Sequence, residues 1–317
     1  MACFPSSSRF PAFRRPRTPL CRIDRRLANT GVPPAPNPQT DIPGGYTTAG
    51  QYVQLRVGGS KPAYIAIASP PPSAASPPSG PLLLEFLVKR LPDPASTASL
   101  LCALPPGGAL EAGPVQGEGF AVATAAPPAK CPSLLLFAAG SGISPVRALI
   151  ESPGFKAASE SSGRTVRLYY GARSPSAMAY TSRFALWEDA GVSIVPVYSN
   201  PSADWKGAKG YVQAAFAADW PVGGKLPGGK AGGGGEAAAT GAVLCGQKGM
   251  TDEVIKALTV RLWRIRPPCP FLVSFYLLPA ALHNFARASD FRAGIVSLGR
   301  SGGYRGSRSC RTSEQLC

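Results

Sequence analysis

The chain has 317 residues, rich in glycine (36) and proline (35), with 16% charged residues and a net charge of +16. That length allows two domains and a sizeable core. The charge suggests nucleic acid until it is located. Residues 1–40 hold seven arginines against Asp24, and residues 261–317 hold nine against Asp290 and Glu314, which leaves 17 Lys/Arg against 14 Asp/Glu in 41–260. Basicity confined to the ends, with no aromatic-interleaved stripe in the body, argues against a nucleic-acid-binding domain. Eight scattered cysteines, no CxxC pair and a single histidine, His283, argue against a structural metal site and against Ser-His or Cys-His hydrolases.

In chain order, residues 1–40 are rich in Arg, Ser and Pro, poor in acids, and lack the apolar run of a secretory signal. This composition predicts an organelle transit peptide or a disordered basic arm, chloroplast (stroma) ahead of mitochondrion, outside the fold. From 41 to 128 the pattern is β. Strands are expected at Gln51–Val57, Tyr64–Ala68 and Leu82–Val88, separated by Pro/Gly/Ser clusters, as in an antiparallel sheet or barrel.

From 129 to 260 the pattern becomes alternating. Strands at Leu134–Ala138, Val166–Tyr170, Val192–Tyr198 and Ala242–Gly246 interleave with helices at Pro145–Glu151, Ala177–Ala190, Val212–Ala218 and Thr251–Leu258. Such alternation predicts a doubly wound parallel sheet whose ligand lies beyond the carboxyl ends of the strands. Residues 221–241 read as a flexible Gly-rich loop. Within it, Gly224 to Lys230 fits GxxxxGK, but Ala231 stands where a Ser/Thr must bind magnesium, so no triphosphate site is expected. Residues 261–317 form a basic, atypical tail. Its Phe271–Leu282 run is too short to span a bilayer; an RNA-binding arm at Gly299–Arg311 is the less favoured reading of its Gly/Ser/Arg-rich end.

The stretch Leu134 to Ile150, LLLFAAGSGISPVRALI, carries the most chemistry. Strand, glycine turn and helix is a pyrophosphate-binding geometry: Gly140 and Gly142 let backbone N–H groups approach, and the free N–H groups of the helix start face the anion. Ser144 is expected to cap the helix and Pro145 to occupy its first turn.

Taken together, several segments resemble the ferredoxin–NADP reductase superfamily. They are Ala49–Gln54, Lys61–Pro70, Gly113–Phe120, the GSGISP turn, Tyr169–Arg173, Gly210–Phe216 and Leu244–Met250, in family order. The resemblance implies an antiparallel flavin-binding β-barrel at 41–128 and a nicotinamide-dinucleotide domain at 129–260. It assigns the pyrophosphate to Gly140, Ser141, Gly142 and Ile143, the adenosine phosphate to Arg173, and the nicotinamide–flavin junction to Cys245, Gly246 and Gln247. Thr251 is expected to cap the last helix.

The same resemblance places FAD on Tyr64, Ile65, Ala66, Ile67 and Ser69, with Ser96 and Thr97 toward its phosphate. Here the chain departs from the family pattern. Ala63 stands where an arginine would hold the flavin phosphate, Ile65 where a tyrosine would stack, and the barrel's first strand falls where residues 20–40 read as arm. Tyr198-Ser199-Asn200-Pro201 lacks a second arginine, leaving NADP or NAD open. The implied activity is hydride transfer from NAD(P)H to FAD, with electrons passed to a small molecule or redox protein. The alternative is a non-catalytic NAD(P)-binding sensor or scaffold on the same fold.

Overall fold

The computed structural model describes residues 20–26, 45–73, 83–105, 108–129, 131–155, 164–220, 240–262, 271–273 and 295–296. The GxxxxGK stretch, the Gly/Ser/Arg-rich end of the tail and most of residues 1–40 lie outside these.

An antiparallel body comes first. Its strands are β1 (Leu20–Arg26), β2 (Tyr52–Arg56), β3 (Ala63–Ala66), β4 (Leu83–Lys89) and β5 (Glu111–Ala112), with helix α1 (Thr97–Ala103) between β4 and β5. β2 pairs with β3 and β5; β1 pairs with β4 along its whole length, from Leu20 opposite Lys89 to Arg26 opposite Leu83. An Ile67–Phe86 bridge joins the two sheets. Alternation sorts the side chains, as a two-residue period requires. Val53, Leu55, Ile65, Ile67, Leu84, Phe86 and Val88 turn inward around one core.

A short helix, α2 (Val122–Ala125), leads to the parallel sheet. Its elements are β6 (Ser133–Ala139), α3 (Ile143–Ile150), β7 (Thr165–Ala172), α4 (Phe184–Asp189), β8 (Val192–Tyr198), β9 (Ala208–Lys209), α5 (Val212–Asp219), β10 (Thr240–Cys245) and α6 (Lys248–Leu262). Two further strands, β11 (Phe271–Val273) and β12 (Ile295–Val296), complete the order β12-β11-β10-β6-β7-β8-β9. Only β12 runs antiparallel to its neighbour. The chain therefore steps from β6 to β9 on one side and returns to β10 on the other. The switch point lies between the carboxyl ends of β6 and β10, where such sheets bind ligands.

Each sheet face carries its own core. Leu134, Leu136, Ala138, Val243 and Cys245 face α3 and α4, together with Ala49, Leu87 and Phe120 from the antiparallel body. Leu135, Phe137, Ala242 and Leu244 face α5 and α6. There Phe137 stacks on Tyr169 at 5.3 Å and meets Phe216 edge-on at 5.2 Å.

Three readings are corrected by the structure. Residues 20–26, read as arm, form a strand paired antiparallel with β4. Residues 271–273, read as tail, extend the parallel sheet beside β10. The helix expected over Ala177–Ala190 shortens to α4, preceded by 3₁₀ turns at Pro175–Ala177 and Thr181–Arg183 around a left-handed Tyr180 (φ 60°).

Phe137→Ala removes a fully buried ring that touches two others and should lower unfolding free energy by about 3–5 kcal/mol, as read by urea denaturation. A loss under about 1 kcal/mol would show that this core is not packed as described.

Candidate functional site

The site is built at the switch point. β6 ends at Ala139, the chain turns through Gly140–Gly142 as a 3₁₀ turn, and α3 begins at Ile143. Gly140 takes φ +56°, a left-handed value that favours glycine. Gly142 is required for a different reason. A Cβ there would stand 2.2 Å from the carbonyl oxygen of Cys245 and 3.0 Å from the Cα of Gly246. The turn thus lies directly against the Cys-Gly pair that ends β10. Residues about one hundred positions apart, which the sequence offers as two motifs, form one site.

Tyr170, buried at the end of β7, ties the turn to the loop beyond. Its hydroxyl donates to Gly140 O at 3.4 Å and accepts from Ala179 N at 3.0 Å. Burial pushes the phenol's pKa above its usual value, so the donor stays protonated. Ser144 does not cap α3 as expected. The helix starts earlier, on Gly142 without a side-chain cap, which puts Ser144 inside the first turn. There its hydroxyl, on a residue 1% exposed, has no hydrogen-bond partner. An unsatisfied buried hydroxyl at the head of a helix costs stability, and it fits a site that holds a polar ligand. Thr251 likewise lies within its helix, its hydroxyl donating back to Gln247 O at 3.3 Å.

The remaining sequence-identified residues fall into two groups. Ser141 is half-buried in the turn and Ile143 fully buried beneath it. Cys245 points to the face shared with the antiparallel body and is 1% exposed. Burial pushes its thiol up to about 12, so it is a neutral, compact contact rather than a nucleophile. Gly246 is half-buried, Gln247 exposed. Arg173 is exposed at the end of β7, its carbonyl accepting from Asn200 N at 2.8 Å.

The second group lies on the antiparallel body. Ile65 and Ile67 turn into its core, so their side chains are turned away from any ligand on the outer face. Tyr64 and Ala66 are half-buried, with Tyr64 edge-on to Tyr52 at 5.7 Å. Ser96 caps α1, accepting from Ser99 N and donating to Asp93 O. The Thr97 hydroxyl donates to Lys61 O. Toward a flavin ring these residues offer the half-buried ring of Tyr64. Toward a flavin phosphate they fit less well, since both hydroxyls are committed to the backbone and Ala63 supplies no cation.

Sequence reasoning passed over the side chain that joins the two bodies. Arg147 of α3 is 2% exposed. Its Nη1 donates to Glu85 of β4 and its Nε to Glu151 at 3.2 Å, while the Tyr180 ring covers the guanidinium at 4.6 Å. Burial works against the charge, but the bonds to Glu85, Glu151 and Tyr180 raise its pKa above the usual arginine value. The signal was present: one arginine inside the apolar run PVRALI has to be paired.

Residues 136–256 match a family model described as an oxidoreductase NAD-binding domain. The chain is 36% identical over 219 residues to fruit protein pKIWI502 of Actinidia deliciosa, covering 67% of this chain and 62% of that protein. It is similar in structure to the Amycolatopsis cytochrome P450 reductase GcoB, at 25% identity and TM-score 0.51, over 72% of this chain and 60% of that one. A ferredoxin-NADP+ reductase from Plasmodium falciparum is similar at 14% identity and TM-score 0.49, over 73% and 84%. The chain thus spans less than two thirds of the kiwifruit protein and of GcoB. Among the described residues no helix is long and apolar enough to cross a membrane.

Gly142→Ala forces a methyl group onto the Cys245 carbonyl and should abolish nucleotide binding, measured by fluorescence titration, with a stability loss of about 1–3 kcal/mol. Gly154→Ala, whose added Cβ meets nothing within 4 Å, should bind as wild type. Equal binding by both variants would contradict the packing of the turn on β10.

Proposed function

The chain belongs to the ferredoxin–NADP reductase superfamily, and from that premise we propose that it is an oxidoreductase passing hydride from NAD(P)H to FAD and electrons on to a further acceptor. The observation that carries this reading is the glycine turn at the switch point, with Gly142 against Cys245 and Gly246. The oxidoreductase NAD-binding match over 136–256 supports nucleotide chemistry there at family level.

In this reading the N–H groups of Gly140, Ser141 and Gly142 meet the pyrophosphate, whose charge the helix end favours, while the Ile143 N–H closes the turn on Gly140 O and Ser141 O. Arg173, exposed at the end of β7, reaches the adenosine phosphate; its planar fork suits a 2′-phosphate. Tyr170 keeps the turn in place from behind. Cys245 lies beside the nicotinamide as a neutral thiol and moves no proton, while Gly246 leaves room for the ring. A flavin, when bound, supplies the two-electron acceptor. Its ring would be held beside Tyr64 and the Ala66–Ser69 segment. No residue here has to act as an acid or base, which accords with a chain holding one histidine.

A second reading is a nucleotide-binding sensor or scaffold without flavin. It is favoured by Ala63 and by the committed hydroxyls of Ser96 and Thr97. We also propose plastid import, on the arginine-rich, acid-poor composition of residues 1–40; because Leu20–Arg26 forms a strand, processing would fall before Leu20.

The test is an absorbance spectrum of the purified chain incubated with FAD, then with NADPH or NADH without oxygen. The expected result is bound flavin that bleaches on adding nucleotide, at a rate flat between about pH 6 and 9 because the buried thiol stays neutral. Nucleotide binding with no flavin uptake would favour the sensor. Binding of neither would overturn both readings.

A further inference from the structure

Beside the apolar contacts of Ala49, Leu87 and Phe120, one arginine ties the two bodies together. On β4, Leu84, Phe86 and Val88 face the antiparallel core, so Glu85 and Leu87 face the parallel sheet. Glu85 is the residue Arg147 reaches. Glu85 is also tied to the strand end that follows β3: Ala68 N donates to Glu85 O at 2.8 Å, and Glu85 N donates to Ser69 Oγ at 3.1 Å. Ser69 O in turn accepts from buried Tyr46 Oη. On the other side, Glu151 gathers Arg147 Nε, Arg183 Nη1 at 3.3 Å and Trp187 Nε1 at 2.9 Å. Arg147 sits only five residues past the end of the glycine turn, on the helix that the turn opens. A continuous set of bonds therefore runs from Tyr46 and Ser69, through Glu85 and Arg147, to Glu151 and the segment beyond β7.

We propose that Arg147 is a positioning residue that, through Glu85, fixes the Ala68–Ser69 strand end relative to the glycine turn and so sets the distance between nucleotide and flavin. The inference rests on the reading under Proposed function. Its physical basis is the two-pronged donor. One guanidinium satisfies Glu85 with Nη1 and Glu151 with Nε, on different sides of the group, and the Tyr180 ring closes the third. Lysine carries the same charge on a single nitrogen, so it cannot reproduce the separated Nη1 and Nε donors that hold the two carboxylates in one geometry. A pair that only stabilised the fold would tolerate that change with proportionate losses everywhere. A pair that sets a distance would lose the transfer step first, since displacements on the order of 1 Å cost up to about a hundredfold in rate.

The experiment uses the full chain supplied with FAD, comparing wild type with Arg147→Lys, Glu85→Gln and the double variant. The expected result is a dissociation constant for NADPH within about twofold of wild type and flavin bleaching in a single turnover slowed about tenfold or more. The double variant should be no slower than the slower single, because both break one link. Hydrogen exchange at the Ala68 and Glu85 amides should quicken about tenfold, while amides around Phe137 hold their protection. Wild-type bleaching together with wild-type exchange at Ala68 would overturn the proposal. So would binding and bleaching falling in step with uniformly faster exchange, which is simple loss of stability. If the wild-type chain bleaches no flavin, the oxidoreductase reading fails separately, and exchange at Ala68 alone then decides whether Arg147 holds that strand end.

Discussion

Much of this molecule's arrangement depends on burying a cation and leaving it nothing to lack. Arg147 is 2% exposed, and a charge buried to that extent is tolerated only when it is paired and hydrogen-bonded. Its partners come from different parts of the chain: Glu85 from the antiparallel body, Glu151 from its own helix, Tyr180 from the loop after β7. Satisfying all three at once requires that body, helix and loop lie in one arrangement. Tyr180 accepts a left-handed backbone to do so, a conformation that a bulky residue adopts only where its surroundings enforce it.

A second constraint acts a few residues away. Gly142 lets the turn after β6 rest on the carbonyl of Cys245, and Gly246 lets the chain leave β10 close to Ala139. Both strands therefore end at the same level, at the point where the sheet's direction of winding reverses. A glycine turn opening a helix, a buried hydroxyl without a partner and a neutral thiol are brought together there. An anionic dinucleotide suits this combination, and it faces the side of the sheet on which the antiparallel body packs.

The sequence was legible where a local rule decides. Val192–Tyr198 is a strand residue for residue, and the turn at Gly140 has the form its glycines predict. It was less legible where a rule competes with tertiary packing. Ser144 has the right chemistry for a cap, yet the 3₁₀ turn starts the helix ahead of it. Ile65 sits at an expected flavin position, but the period-two alternation of β3 turns it into the core. Leu20–Arg26 reads as arm because of its arginines, and its pairing with β4, far along the chain, is not visible in its local pattern. The Arg147–Glu85 pair joins residues 62 apart; no local pattern shows the partner, only that one is needed.

The proposed nicotinamide chemistry occurs where the glycine turn meets Cys245 and Gly246. The most direct measurement is anaerobic flavin bleaching with NADPH deuterated at either the pro-R or the pro-S position of C4. A single site that holds the nicotinamide in one orientation predicts markedly slower bleaching for one stereoisomer and an unchanged rate for the other. Equal rates with both, or no bleaching with either, would contradict it.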